Sequence, residues 1–214
     1  MTDPVLHYVF DPFCGWCYGA APLVESLRKI SGLKVALHGG GMMAGRARQP
    51  VTPQLRDYVL HHDQRIAQMS GQPFGDAYKN GLLGDSSAVF DSEPPTTAIL
   101  AAEQLGLRGL DLLKRIQHAH FIEGRKVAEP AVLRALAIDV GLDGAAFDKA
   151  YASLAGKATF EHINDSRALL SKVGGQGFPT FALVHQQQLS VLDFGRYLGH
   201  PAEWQASVEK ALAA

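Results

Sequence analysis

The sequence predicts an α/β fold, a small mixed sheet flanked by helices and interrupted by a large helical insertion. Three observations carry that prediction. The chain opens with a strand–helix–strand pattern between Val5 and Met42. From about Pro53 to about Val173 it reads as helix after helix. From Gly174 onward it closes with a strand hairpin and a last helix. Residues 1–52 and 174–214 are therefore expected to form the sheet domain, and residues 53–173 an inserted helical domain. No composition shift, internal repeat or low-complexity tract marks a flexible linker between them.

Taken in order, VLHYVF (Val5 to Phe10) is β-branched and aromatic, and Asp11-Pro12 ends it, as expected of a buried strand. In GAAPLVESLRKI, Leu23, Leu27 and Ile30 have helical spacing, and Ser31-Gly32 stops the run. LKVALHGGGM alternates and then breaks at three glycines, so it reads as a second strand. Strand, crossover helix and strand make a right-handed parallel unit. In the middle block, TPQLRDYVLHHDQRIAQMSG opens on a Thr cap and closes at Gly71. PPTTAILAAEQLG, LDLLKRIQHAHFIEG, EPAVLRALAIDVG and DGAAFDKAYASL follow, with caps and a 3.6-residue period. Pro94-Pro95 reads as a helix start. GGQGFPTFALV, a polar turn at Gln186 to Gln188, and LSVLDFG form the hairpin. PAEWQASVEKALA, with Pro201 in its first turn, is the last helix.

Composition narrows the function classes. The chain has 214 residues, 47% of them hydrophobic and 19% charged, with a formal net charge of −1. That balance gives no electrostatic reason for a nucleic-acid or anionic-membrane partner. Arg46 and Arg48 are too short a cluster to change this and read as a solvated loop. The two cysteines cannot be a disulfide framework. The N-terminal stretch lacks a basic region, a long apolar region and a cleavage site. No apolar run approaches the ~18 residues of a membrane span. A cytoplasmic location is expected. There, cellular thiols keep cysteines reduced, so a disulfide would be transient and catalytic.

Both cysteines, Cys14 and Cys17, lie in DPFCGWCYGAAP, where the first strand hands over to the first helix. Cys14 is expected near the helix N-cap and Cys17 in the first turn. Partial positive charge and unpaired N–H groups there favour a thiolate. The thiolate is the nucleophile, so Cys14 is the expected attacking group. Cys17, one turn on, can resolve a mixed disulfide. Two other readings compete. Two small buried hydrophobes would look the same in composition. A zinc site would need two further donors. The histidines are poorly arranged for that: His61 and His62 are adjacent on a helix, and His118 and His120 are two apart. Far along the chain, GQGFPTF places Pro179 at the start of a strand, which Pro tolerates only in a special setting such as a cis bond. In a sheet of this order that strand start lies beside the cysteine turn.

CxxC at a strand-to-helix turn, with Gly-x-Pro-Thr ahead of a hairpin, resembles the thioredoxin fold. The helical insert narrows the resemblance to the DsbA family. FDPFCGWC, GGGMMAG, FDSEPPTTAILAAEQLG, FIEGRKVAEPAVLRALAIDVGLD and GFPTF look like its cytoplasmic, FrnE-type branch, over nearly the whole chain. The resemblance implies a dithiol–disulfide oxidoreductase with Cys14 as nucleophile and Cys17 as resolving thiol. Pro179 matches the family's cis-proline, which faces the thiols, blocks metal and offers backbone to an extended substrate. It implies no metal and no organic cofactor, with glutathione among the candidate thiol partners. There are departures. Thioredoxins carry a buried acid six positions before the first cysteine, where this chain has Tyr8. The dipeptide between the thiols is Gly15-Trp16, so neither the potential of thioredoxin (about −270 mV) nor that of periplasmic DsbA (about −120 mV) carries over.

Trp16, Phe178, Pro179 and Thr180 are the expected substrate-binding residues. For Trp16, a role in packing stands beside one in touching substrate. Phe13 and Phe178 read either as an apolar rim or as core, while Met42, Met43 and His38 read as packing. A rival function stays within the same architecture. Kappa-class glutathione transferases and 2-hydroxychromene-2-carboxylate isomerases resemble it, but typically hold a serine where this chain has its CxxC pair. The expected partner is a thiol or disulfide, protein or small molecule. The insert offers a cover for the site, a homodimer surface, or both.

Overall fold

The structure is a computed structural model describing residues 3–213. Its first strand, β1, runs Val5–Phe10, with Leu6, Tyr8 and Phe10 turned into the core. Next come two short helices, α1 at Gly15–Gly19 and α2 at Ala21–Leu27. The helix expected over Gly19 to Ile30 thus starts four residues earlier and is broken at Ala20. Pro22 lies in the first turn of α2, and it has no N–H to continue the ladder of α1. Strand β2 spans Lys34–Gly39 and ends at the three-glycine run.

The strands β3, Gln49–Pro50, and β4, Val89–Phe90, pair antiparallel as a small separate ribbon that the sequence pattern did not signal. Between them lies α3, Pro53–Ser70. Thr52 Oγ1 accepts the Leu55 N–H to cap it, and Gly71 closes it at a positive φ of 72°. A single π turn follows at Ala77–Gly81. Then come α4 (Glu93–Gln104), α5 (Gly109–Phe121), α6 (Pro130–Asp139) and α7 (Gly144–Leu154), each where the periodicity placed one. An additional helix, α8, runs Lys157–Lys172. It follows α7 after two residues and has no side-chain cap, so its start carries no sequence signal.

The hairpin β5 (Thr180–His185) and β6 (Gln188–Leu192) turns at Gln186 and Gln187, both at positive φ, and α9 (Pro201–Leu212) ends the chain. The sheet order is β2-β1-β5-β6, with β1 parallel to β2 and antiparallel to β5. The register puts Thr180 opposite Val9. Pro179 therefore arrives at the end of β1, where the chain turns into the cysteine motif. One buried cluster joins sheet residues such as Leu6 and Phe181 to Leu112, Leu133 and Phe147 of the helical block, so both segments share a core.

Candidate active site

Cys14 is the N-cap of α1: its backbone is extended, and its sulfur accepts the N–H of Cys17 at 3.4 Å. One of the orphan N–H groups of the helix start is thus directed at the sulfur. Both thiols are free. Cys14 keeps 5% of its surface and Cys17 none. Both are buried, and Cys14 alone keeps a trace of exposure.

Across the sheet, the Phe178–Pro179 bond is cis, and the Phe178 carbonyl accepts from the Cys14 thiol at 3.4 Å. The Phe178 ring lies on Gly40, where an added Cβ would stand 2.1 Å from it. Only a glycine admits the ring there. Thr180 Oγ1 donates to the Gly177 carbonyl at 2.8 Å and is buried, so it ties the approach to Pro179.

The glycine loop after β2 is clamped from two sides. Asp11, fully buried, accepts the Phe13 N–H on one oxygen at 2.9 Å and the Met42 N–H on the other at 2.5 Å. Arg167 of α8 donates to the carbonyls of Gly40 and Gly41 at 2.8 and 2.6 Å. His162 of the same helix accepts the Gly39 N–H at 3.0 Å. One carboxylate and one helix thereby join the cysteine turn to the loop under Phe178.

The opposite flank of α1 rests on α3. A Cβ at Gly15 would stand 2.8 Å from Oδ1 of Asp63 and 2.9 Å from Cδ1 of Ile66. One at Gly19 would stand 2.7 Å from Ile66. The two glycines, four apart, make the smooth face on which α3 lies. Asp63 is 5% exposed, and its Oδ2 accepts the Tyr78 hydroxyl at 2.9 Å. Trp16, half-buried, lies under the same helix, with the Arg65 guanidinium of α3 5.8 Å from its ring centre.

Burial sets the charge states. It pushes the Cys17 thiol well up, reinforced by the hydrogen bond and charge of Cys14, so the resolving thiol rests protonated. Burial lifts Asp11 to about 6, against the pull of the Phe13 N–H, Ser92, the Met42 N–H and Arg167. It lifts Asp63 to about 7, opposed only by the Tyr78 hydrogen bond. Tyr8, in the place of the thioredoxin acid, is driven well above its ordinary value by burial and by both cysteines, and stays neutral. His120 is held down to about 3 by burial among Phe13, Phe90, Tyr78 and Phe121, while His118 is exposed and bonded to Glu123. Among the described residues no group of three or more His, Cys, Asp or Glu side chains could hold a metal.

The sequence-predicted residues Cys14, Cys17, Phe178 and Pro179 are brought together, and Trp16 and Thr180 border them. Phe13 is core, stacked on Phe90 at 4.9 Å. Sequence reasoning missed Asp11, Asp63, Arg167 and His162. For Asp63 a signal existed: it shares the buried face of α3 with Leu55, Ile66 and Ser70, an acid on an apolar stripe.

The family model described as a DSBA-like thioredoxin domain matches residues 5–196. Among solved structures, the chain is similar to the cytosolic disulfide reductase DsbM from Pseudomonas aeruginosa, with 53% identity, 98% of each chain covered and a TM-score of 0.92. It is similar to the same reductase with GSH, with 51% identity over 98% of this chain and 100% of that one, at a TM-score of 0.91. A 2-hydroxychromene-2-carboxylate isomerase shares the fold at 16% identity, covering 98% and 99%, with a TM-score of 0.58. Among curated proteins no match is found.

Proposed function

The chain belongs to the DsbA-like thioredoxin family and is a thiol:disulfide oxidoreductase, and we propose that it acts in the cytosol as a disulfide reductase recharged by glutathione. The observation that carries the direction is its 53% identity to a cytosolic disulfide reductase over 98% of both chains. The GSH in the second reductase structure supports the choice of recharging thiol. No helix among the described residues is long and apolar enough to cross a membrane.

In this reading the Cys14 thiolate attacks one sulfur of the substrate disulfide, and the other sulfur leaves as a thiol after taking up a proton. Cys17 then gives up its proton and attacks the Cys14 sulfur, releasing the second substrate thiol. The protein is left with a Cys14–Cys17 disulfide, and the substrate has gained two electrons. Two glutathione molecules return those electrons and leave as glutathione disulfide. Trp16 and the backbone around Phe178, Pro179 and Thr180 border the Cys14 thiol and form the substrate contact. No metal or organic cofactor enters.

The test is an equilibrium titration of the cysteine pair against glutathione, read by Trp16 fluorescence. A single two-electron transition near about −270 mV supports the reductase, and one near about −120 mV makes the protein an oxidant instead. Cys17→Ser separates the dithiol route from a glutathione-dependent isomerase. It is expected to abolish turnover and trap mixed disulfides on Cys14, whereas an isomerase keeps its activity.

A further inference from the structure

A cavity of about 610 Å³ lies between α2 of the sheet domain and α5 of the helical block. Its apolar lining comes from Pro22 and Val24 of α2, Leu110 and Leu113 of α5, Val140 and Pro201. Neither cysteine lines it, nor do Trp16, Phe178, Pro179 or Thr180, so it is separate from the site of disulfide exchange. Its size and its place between two structural units are those of a small-molecule site.

Two features go beyond an apolar hollow. Gln117 of α5 lines it and is 2% exposed, and its Nε2 has no hydrogen-bond partner. Proteins rarely leave a buried amide so, because the unmade bond is costly. A half-turn of the side-chain amide exchanges Nε2 with Oε1, so the group can offer a donor or an acceptor. The second feature is the charge of the rim, where Arg28, Lys29, Lys114 and Arg115 stand with Glu25 and Asp111. Arg115 is taken by Glu123 at 2.8 Å and Asp139 at 2.9 Å, and Arg28 by Asp111 at 2.6 Å. Asp111 also receives Arg108 at 2.6 Å. Lys114 has one long contact, 3.5 Å, to Glu25, which Arg28 already shares. Lys29 has no ion pair among the described residues and stands four positions on from Glu25, on the same side of that helix end. The two lysines thus flank one occupied carboxylate and are left to receive an anion.

We infer that this cavity binds a small organic anion with an apolar body. Lys29 and Lys114 take its acid group, the Gln117 amide takes a neutral polar group along it, and the walls take its rings or chain. Apolar surface buried against Val24, Leu110 and Leu113 supplies most of the affinity. The lysines and the amide supply the choice of ligand. The site needs neither the CxxC chemistry nor glutathione.

The test titrates anilinonaphthalene sulfonate into the full chain and follows its fluorescence. This probe carries an apolar body, an N–H and an acid. N-phenylnaphthylamine, the same body without the acid, is titrated beside it. One saturable site is expected for the sulfonate, with backbone amide NMR shifts concentrated on α2 and α5. The double variant Lys29→Glu, Lys114→Glu should weaken the sulfonate about tenfold and leave the neutral amine unchanged. Gln117→Leu should weaken both about fivefold. Leu110→Trp fills the cavity and should abolish binding of both. Leu110 is half-buried and the two lysines are exposed, so these variants keep the fold. Should Gln117→Leu fail to fold, they decide alone. No saturable binding, binding that Leu110→Trp leaves intact, or amide shifts away from α2 and α5 overturn the site. A sulfonate affinity that ignores the lysine reversal overturns the anion.

Discussion

Asp11 and Asp63 are both buried carboxylates beside the same turn, but they are held in different ways. Asp11 sits in the loop between β1 and α1 and spends both oxygens on backbone N–H groups, of Phe13 and Met42. Asp63 comes from the helical block, gives one oxygen to a single hydroxyl and leaves the other without a partner. A carboxylate saturated by amides acts as a brace, because removing it strands buried donors. One left half-satisfied is free to change its charge. Burial lifts both, Asp11 to about 6 and Asp63 to about 7, so the two sides of the cysteine turn differ in what their oxygens hold rather than in whether they titrate.

The largest test of this contrast is Asp11→Ala. It leaves two buried N–H groups unpaired and should lower stability by about 3 kcal/mol, read from urea denaturation. A loss well under about 1 kcal/mol would show that the loop does not depend on this acid. A smaller effect, of opposite character, is expected at Asp63. Its folded-state value, about 7, is raised from 3.8, so the folded protein keeps a proton that the unfolded chain releases. The resulting stabilisation is complete below about pH 4 and is lost as pH rises through about 7. Asp63→Asn escapes that loss. Measured by thermal or urea unfolding, its stability relative to wild type should rise by ~2 kcal/mol between about pH 5.5 and pH 8. A flat difference across that range would put the ionised carboxylate in a better-solvated place than its 5% exposure implies. The smallest effect belongs to Thr52→Ala, which removes the cap of α3 and should lower stability by about 1 kcal/mol. It should leave the alkylation profile of Cys14 unchanged, because the helix stays packed on Gly15 and Gly19.

Much of this architecture was legible in the chain. The bounds of β1, the cap and stop of α3, and the closing hairpin follow from alternation, capping residues and turn residues that act over a few positions. The CxxC spacing at a helix start and a proline at a strand marked the two segments that the structure brings together at Cys14 and Phe178–Pro179. What escaped has a common cause. Arg167 and His162 act on glycines more than 120 positions away, and no local pattern reports such a pairing. They also sit on α8, whose start lacks a capping side chain. Asp11 read only as the end of a strand, since Asp-Pro is a turn signal whatever its side chain does afterwards. The split between α1 and α2 was hidden because Pro22 is as welcome in the first turn of a new helix as it is disruptive within an old one.

The contact between α3 and the glycines of α1 has a consequence for how this protein can vary. The two positions between the thiols are where members of this fold commonly differ, and exchanging them is the usual way to adjust redox behaviour. Here the first of them is walled in by the side-chain ends of Asp63 and Ile66, and any side chain must displace them. Only Trp16 faces outward enough to be exchanged. An engineer who transplants another oxidoreductase's dipeptide would be altering a helix interface along with a potential. Selection for new behaviour should accumulate its changes at Trp16 and on the facing surface of α3.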